Sequence, residues 1–193
     1  MELILSLLMG IGLSATSGLR IFLPLLIMSI ASLTGHLELS PSFEWIGTYP
    51  ALTVFSVAAL LEILSYLLPY VDNLLSTISI PFAALAGTVI TASVIIDMGP
   101  LLTWTLAIIA GGGASLTTKT ASTLLHTGST ATSAGMANPV VSTIETVISV
   151  VMAVISIIAP LLIIILFGFI AWLGVRILRR RKGRRNLQKL GPC

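Results

Sequence analysis

The chain of 193 residues is 56% hydrophobic and 9% charged, with a formal net charge of +3 and a mean hydropathy of +1.08. These values exclude a soluble globular domain, which needs far more polar surface, and fit an all-α bundle of lipid-facing helices. The single cysteine, Cys193, excludes an intrachain disulfide and offers no thiol metal site.

The N-terminal run "MELILSLLMG" has no basic n-region, since its first charge is Glu2, so it is expected to stay in the mature protein rather than act as a cleaved signal. Leu3–Thr34 is too long for one simple span and too short for two with a loop. It is interrupted by "GIGLSATSGLR", which divides it near Ser14–Arg20 into arms of about 10 and 14 residues, roughly 16 and 21 Å as helix. The loop Gly35–Pro50 follows, with Glu38 and Glu44 and no lysine or arginine, as expected of an external loop; its Trp45 and Tyr49 suit a membrane interface.

Apolar windows of about 20 residues suffice to cross the hydrocarbon. Tyr49–Leu68 and Leu74–Ile96 are such windows, joined by a turn at "PYVDN", and "DMGP" from Asp97 closes the second. Leu101–Pro139 then repeats the plan of the first segment: an apolar arm, a polar interruption at "GGGASLTTK", and a small-residue arm ending at "GMANP". Val140–Ala159 and Leu161–Leu178 complete the count, with Pro160 marking either a hairpin turn or a kink.

Gly10, Gly12, Ser14 and Thr16 align with Gly111, Gly113, Ser115 and Thr117 at one constant offset. The pattern predicts about six spans, two of them discontinuous or re-entrant, arranged as an inverted repeat: residues 1–97, residues 98–178, then a basic tail at 179–193. Broken helices of this kind expose backbone N–H and C=O groups that protein, water or ligand must satisfy. The rival explanation is close helix packing through small residues.

Arg20, Lys119, Glu62 and Glu145 are the only charges well inside apolar stretches, and a charge at that depth costs at least about 3 kcal/mol. They read either as structural ion pairs or as a binding site that protonation or a cation would occupy. Ser14, Thr16, Ser115 and Thr117 join them as candidate substrate or ion ligands. From Ser115 to Ser133, eleven of nineteen residues are serine or threonine. His126 lies within this belt as a proton-relay candidate. Asn138-Pro139 starts the next run, and Ser142-x-x-Glu145 fits a capping box, an ordinary alternative role for Glu145.

Eight of the ten basic residues lie between Arg176 and Lys189, which places that end in the cytoplasm, in contact with anionic lipid. Both termini are then expected on the cytoplasmic side of the membrane. No H-E-x-x-H or G-x-S-x-G pattern is present, so an enzyme, a metal site and a cofactor are not expected. No nucleic-acid partner is expected either. Glycine-rich faces are compatible with a homodimer.

The run "HTGSTATSAGMANPVVSTIE", with "ALLEILSYLLPYVDN" before it, resembles a bacterial membrane family catalogued as domain of unknown function 4126. The resemblance covers roughly Leu3 to Phe167 and is most specific in Gly128–Glu145, where Gly128, Ser129, Thr130, Asn138 and Pro139 form the motif loop. The family usually carries an acidic-basic pair before the P-x-x-D turn, where this chain has Ser65-Tyr66 while keeping Glu62, Pro69 and Asp72. The resemblance implies a multi-span membrane protein and no activity. Three roles follow as expectations: a transporter or channel-like protein for a small solute or ion, an anionic-lipid head-group protein, or a non-transporting scaffold.

Overall fold

A computed structural model describes residues 2–66, 69–96, 98–133 and 136–162, without the side chains of 2 and 66–77. The basic tail and the expected span Leu161–Leu178 lie almost wholly outside these residues, as does Asp97. The described residues contain helices and no strand. In chain order they are α1 (Glu2–Ser17), α2 (Phe22–Leu33), a 3₁₀ helix (Pro41–Gly47), α3 (Tyr49–Tyr66), α4 (Pro69–Val94), α5 (Pro100–Leu106), a π-helical stretch (Ala107–Gly112), α6 (Gly113–Ser133) and α7 (Asn138–Ile158).

The helices are amphipathic in reverse, and α7 is the clearest case. Asn138, Ser142, Glu145, Ser149, Ala153 and Ser156 recur at helical spacing and are buried, whereas Val140, Ile144, Val147, Val151 and Ile158 are exposed. On α6 the buried line is Ser115, Lys119, Ser122 and His126. Water would expel such apolar exteriors, whereas hydrocarbon accepts them and drives polar groups inward. Among the described residues two helices, Pro100–Ser133 and Asn138–Ile158, are long and apolar enough to cross a membrane. A third span forms if Pro41–Gly47 and Tyr49–Ser65 count as one, bent by 64°.

The first segment is a hairpin. The helix runs on to Ser17, further than the expected interruption at Ser14, because the hydroxyls of Thr16 and Ser17 bond back to the carbonyls of Leu13 and Ser14, at 2.6 and 2.8 Å. The chain then turns through Gly18–Ile21 and returns as α2. Leu3, Ser6 and Met9 at the start of α1 line the same cavity as His36, Leu37 and Glu38 just beyond α2, together with Val94–Ile96. The sequence placed the N-terminus across the membrane from the Gly35–Pro50 loop; here the start of α1 and the first residues of that loop lie at the same end of the bundle. The two legs splay, α1 packing on α4 and α7 and α2 chiefly on α3. A Schellman motif closes α2, with His36 N–H on Ala31 O at 2.8 Å and Gly35 at φ 74°.

The second interruption differs from expectation. "GGGASLTTK" does not break the chain; Pro100–Ser133 is one continuous helical run that widens to π geometry over Ala107–Gly112. Its threonine hydroxyls are absorbed by the helix itself: Thr117 and Thr118, and Thr120 just beyond, bond to carbonyls four residues back. The antiparallel relation of the two copies is also corrected. Gly10 and then Ser14 meet α4 at Thr91 and Gly87, and Gly111 and then Ser115 meet it at Thr91, Gly87 and Ala83. Both copies descend α4 in the same direction, so they run parallel.

Two smaller expectations change as well. The "PYVDN" turn is the first turn of α4, with Pro69 at its start, where a missing N–H costs nothing. Helix α7 ends at Ile158, Ala159 takes φ −143° and ψ 70°, and helical structure resumes at Pro160. The apolar core, including Leu13, Leu25, Met28, Ile46, Phe55, Ile90 and Val94, fills the end of the bundle nearest the loop.

Candidate functional site

At the other end of that core the hairpin tip enters a polar seam between α1, α4 and α6. Ser14 Oγ donates to Gly87 O at 2.6 Å and pairs with Thr91 Oγ1 at 2.7 Å. Ser17 Oγ meets Ser115 Oγ at 2.9 Å, and Ser115 Oγ donates to Ala83 O at 2.6 Å. The backbones touch here. A Cβ on Gly87 would sit 2.5 Å from Ser115 Cβ and 2.7 Å from Gly111 O, and one on Gly18 would sit 2.8 Å from the Lys119 amide nitrogen.

The turn that follows Gly18 presents Arg20, which is fully buried. Its Nε donates to Thr146 Oγ1 at 3.0 Å and its Nη2 to Ser142 O at 2.8 Å, with Ser142 Oγ in contact as well. A guanidinium is suited to this, since one planar fork can reach several acceptors on adjoining turns of α7. Ser149 Oγ donates to Thr16 O at 3.3 Å, fixing α7 along the same leg.

Glu62 on α3 closes the tip from the opposite side. Its Oε1 accepts from Ile21 N–H at 2.7 Å and its Oε2 from Phe22 N–H at 3.0 Å. These are the first amides of α2, which have no carbonyl partner within the helix, and an anion there also meets the positive end of the helix dipole. Arg20 and Lys119 both act on Glu62 electrostatically. Lys119 is itself buried, on the α6 turn against Gly18.

Glu145 faces α6 and pairs with His126, Nε2 to Oε2 at 2.9 Å, with the two side chains 1% and 6% exposed. The capping-box role fails because α7 starts four residues before Ser142, at Asn138, with Ala137 as its N-cap. The motif residues instead close the α6–α7 turn. Asn138 Nδ2 donates to Thr130 Oγ1 at 2.9 Å, Ala137 N–H to Ser133 Oγ at 3.1 Å, and Pro139 lies in the first turn. Gly128 is exposed, while the buried Ser129 Oγ has no hydrogen-bond partner among the described residues.

Of the residues expected to form a site, Ser14, Thr16, Arg20, Glu62, Ser115, Lys119, His126 and Glu145 are all buried in or beside this seam. Thr117 lies apart from them: it is exposed, and its hydroxyl bonds back to Gly113 O at 2.8 Å. Sequence reasoning missed Ser142 and Thr146 as the arginine's partners and Gly87 and Thr91 as the α4 side of the seam. The polar line along α7 would have found Ser142; nothing in the local sequence marks Gly87. Among the described residues no three His, Cys, Asp or Glu side chains gather as a metal ion would require.

Residues 7–180 match the protein-family model described as Domain of unknown function (DUF4126). The chain belongs to the DUF4126 family. No curated protein and no solved structure matches it. For this DUF4126 protein, the segment shared with the family therefore includes the hairpin from residue 7 of the chain onward, the seam on α4 and α6, and the turn stapled by Asn138 and Thr130.

Proposed function

We propose that this DUF4126 protein is a small transporter or channel-like protein of the bacterial inner membrane, with its site where the tip of a re-entrant hairpin meets α6 and α7. One observation carries the reading: Arg20, Glu62, Lys119, His126 and Glu145 are all buried in a bundle whose outward faces are apolar. Each charge held at that depth costs about 3 kcal/mol or more, and apolar residues of similar size would serve folding alone as well or better. Retaining five ionisable groups together is what a passage for an ion or polar solute requires.

In this reading the hairpin enters and leaves on the face away from the basic tail. At about 1.5 Å per residue, α1 carries the tip roughly 24 Å inward. A cavity of about 420 Å³, lined by Ser6, His36, Glu38 and Ile96 among others, lies at the mouth of the hairpin and serves as the vestibule. The tight packing of Gly18 and Gly87 corresponds to a closed state, and movement of the tip relative to α6 would open the path.

The lipid reading has less support. A groove of about 740 Å³ between α4 and the α5–α6 run, lined by Pro81, Leu85, Trp104, Ile108 and Leu116 among others, suits an acyl chain. It holds neither Arg20 nor Lys119, so an anionic head group finds no cation there. A scaffold without transport would recruit partners or lipid through the basic tail.

Purified protein in liposomes tests the choice. Transport predicts flux of a small ion or solute that falls at least about tenfold in Arg20→Ala. Folded protein that moves nothing across a broad panel, or that moves only fluorescent anionic lipid between leaflets, would contradict it.

A further inference from the structure

Two glutamates are buried among the described residues, and their oxygens are used differently. Glu62 spends both on backbone amides, at 2.7 and 3.0 Å, which makes it a fixed part of the hairpin. Glu145 gives Oε2 to His126 at 2.9 Å, while its Oε1 is buried with no hydrogen-bond partner among the described residues. A carboxylate oxygen left so is unfavourable in a low-dielectric interior, and binding a proton relieves it.

We propose that His126 and Glu145 form a proton-binding dyad and that the proton is the ion coupled to movement through the site. The first half stands on the dyad alone, and the second rests on the transport reading. An imidazole and a carboxyl joined by one hydrogen bond hold a shared proton, release it to leave carboxylate and neutral imidazole, or take up a second. No covalent bond other than N–H or O–H changes.

The charged surroundings suit exchange of a single proton. On α7, Ser142 and Thr146 on either side of Glu145 are gripped by Arg20 from the hairpin turn. On α6, Lys119 lies on the same buried face as His126. From α3, Glu62 holds the amides next to Arg20. The described side chains of α1, α2 and α4 bring no titratable group to the dyad. Arg20, bonded to the α7 positions beside Glu145, and Lys119, about two helical turns from His126 on α6, bring positive charge to this seam and disfavour a second added proton. When the shared proton leaves, the exposed charge on Glu145 competes with Ser142 and Thr146 for Arg20, which ties proton occupancy to the position of the tip.

The test uses the full chain in nanodiscs with imidazole-¹⁵N-labelled histidine. The chain has two histidines, and the exposed His36 serves as the internal reference. The proposal expects the His126 signals to titrate between about pH 4 and 9 and the midpoint to shift by about one unit or more in Glu145→Gln, with His36 unmoved. A His126 that keeps one protonation state over that range, or one indifferent to Glu145→Gln, overturns the dyad. Should Glu145→Gln not fold, Glu145→Asp is expected to shift the midpoint while keeping titration, and an unchanged midpoint counts against the proposal.

Proton flux into liposomes carrying an entrapped pH dye separates the two halves. Flux that falls tenfold or more in Glu145→Gln and His126→Asn supports both. A dyad that titrates while the wild-type protein moves no protons overturns the coupling and leaves the site. Proton flux that persists in Glu145→Gln overturns the proposal and leaves transport standing.

Discussion

The Glu62 carboxylate, on a helix forty-one positions along the chain, takes the Ile21 amide at 2.7 Å and so ties α3 to the tip of the hairpin. The same side chain holds Phe22 N–H at 3.0 Å. This pair of bonds does for α2 what an N-cap serine or aspartate does in a soluble helix, using a residue that is distant in sequence.

Removing that carboxylate should be costly. Glu62→Ala strands two buried amides and removes an anion acted on by Arg20 and Lys119. We expect a loss of roughly 3 kcal/mol, with Glu62→Gln intermediate, since a neutral amide oxygen is a weaker acceptor and the second position becomes a donor. Thermal unfolding in detergent measures this. Unchanged stability in Glu62→Ala would mean the cap is absent.

The glycines at the seam separate by position. Gly18→Ala and Gly87→Ala drive a methyl into backbone atoms and should each lose about 1–3 kcal/mol. Gly113→Ala, whose added carbon meets nothing within 4 Å, should be neutral or gain up to about 1 kcal/mol from helix propensity. The same unfolding measurement compares the three, and equal effects would show that packing at the seam is loose.

Arg20→Lys should fail to replace the arginine. A lysine has one nitrogen in place of the fork that reaches Thr146 and Ser142 together. A loss of about 1–2 kcal/mol relative to the parent chain is expected, along with most of any flux activity. Full retention of both would reduce Arg20 to a point charge.

Composition and the few charges set within long apolar windows made the apolar helical bundle and its buried charges legible in the sequence, because residue type and window length are local properties. The break in the first segment was legible for the same reason, from glycine and a cation in a short stretch. Its position was not, since Thr16 and Ser17 bond back to the preceding turn and carry the helix on to Gly18. The second stretch, nearly the same in composition, stays helical. Its threonines find carbonyls four residues back, and Gly111 and Gly112 serve close approach to α4. One pattern therefore has two outcomes, decided by what packs against it. Direction was equally hidden: the spacing of G-x-G-x-S-x-T reads the same whether its helix runs up or down α4. Pairing of His126 with Glu145 depends on the tight turn at Asn138, which the motif residues make and whose geometry the sequence does not spell out.

Sidedness gives a further check. With Cys193 replaced by serine, single cysteines at Ser6 and Glu38 should react with an impermeant maleimide from the same side of sealed vesicles, since both residues line one cavity. Labelling from opposite sides would mean that the first segment crosses the membrane.

The meeting of the hairpin tip with α6 is tested most directly by a disulfide. Ser17 Oγ and Ser115 Oγ lie 2.9 Å apart in the buried seam, so in a Cys193→Ser background Ser17→Cys paired with Ser115→Cys should crosslink readily under mild oxidation. The account predicts near-complete intramolecular bond formation by mass spectrometry, and none when Ser17→Cys is paired with a cysteine at the exposed Thr117. Failure of the first pair in folded protein, or equal crosslinking of the second, would contradict it.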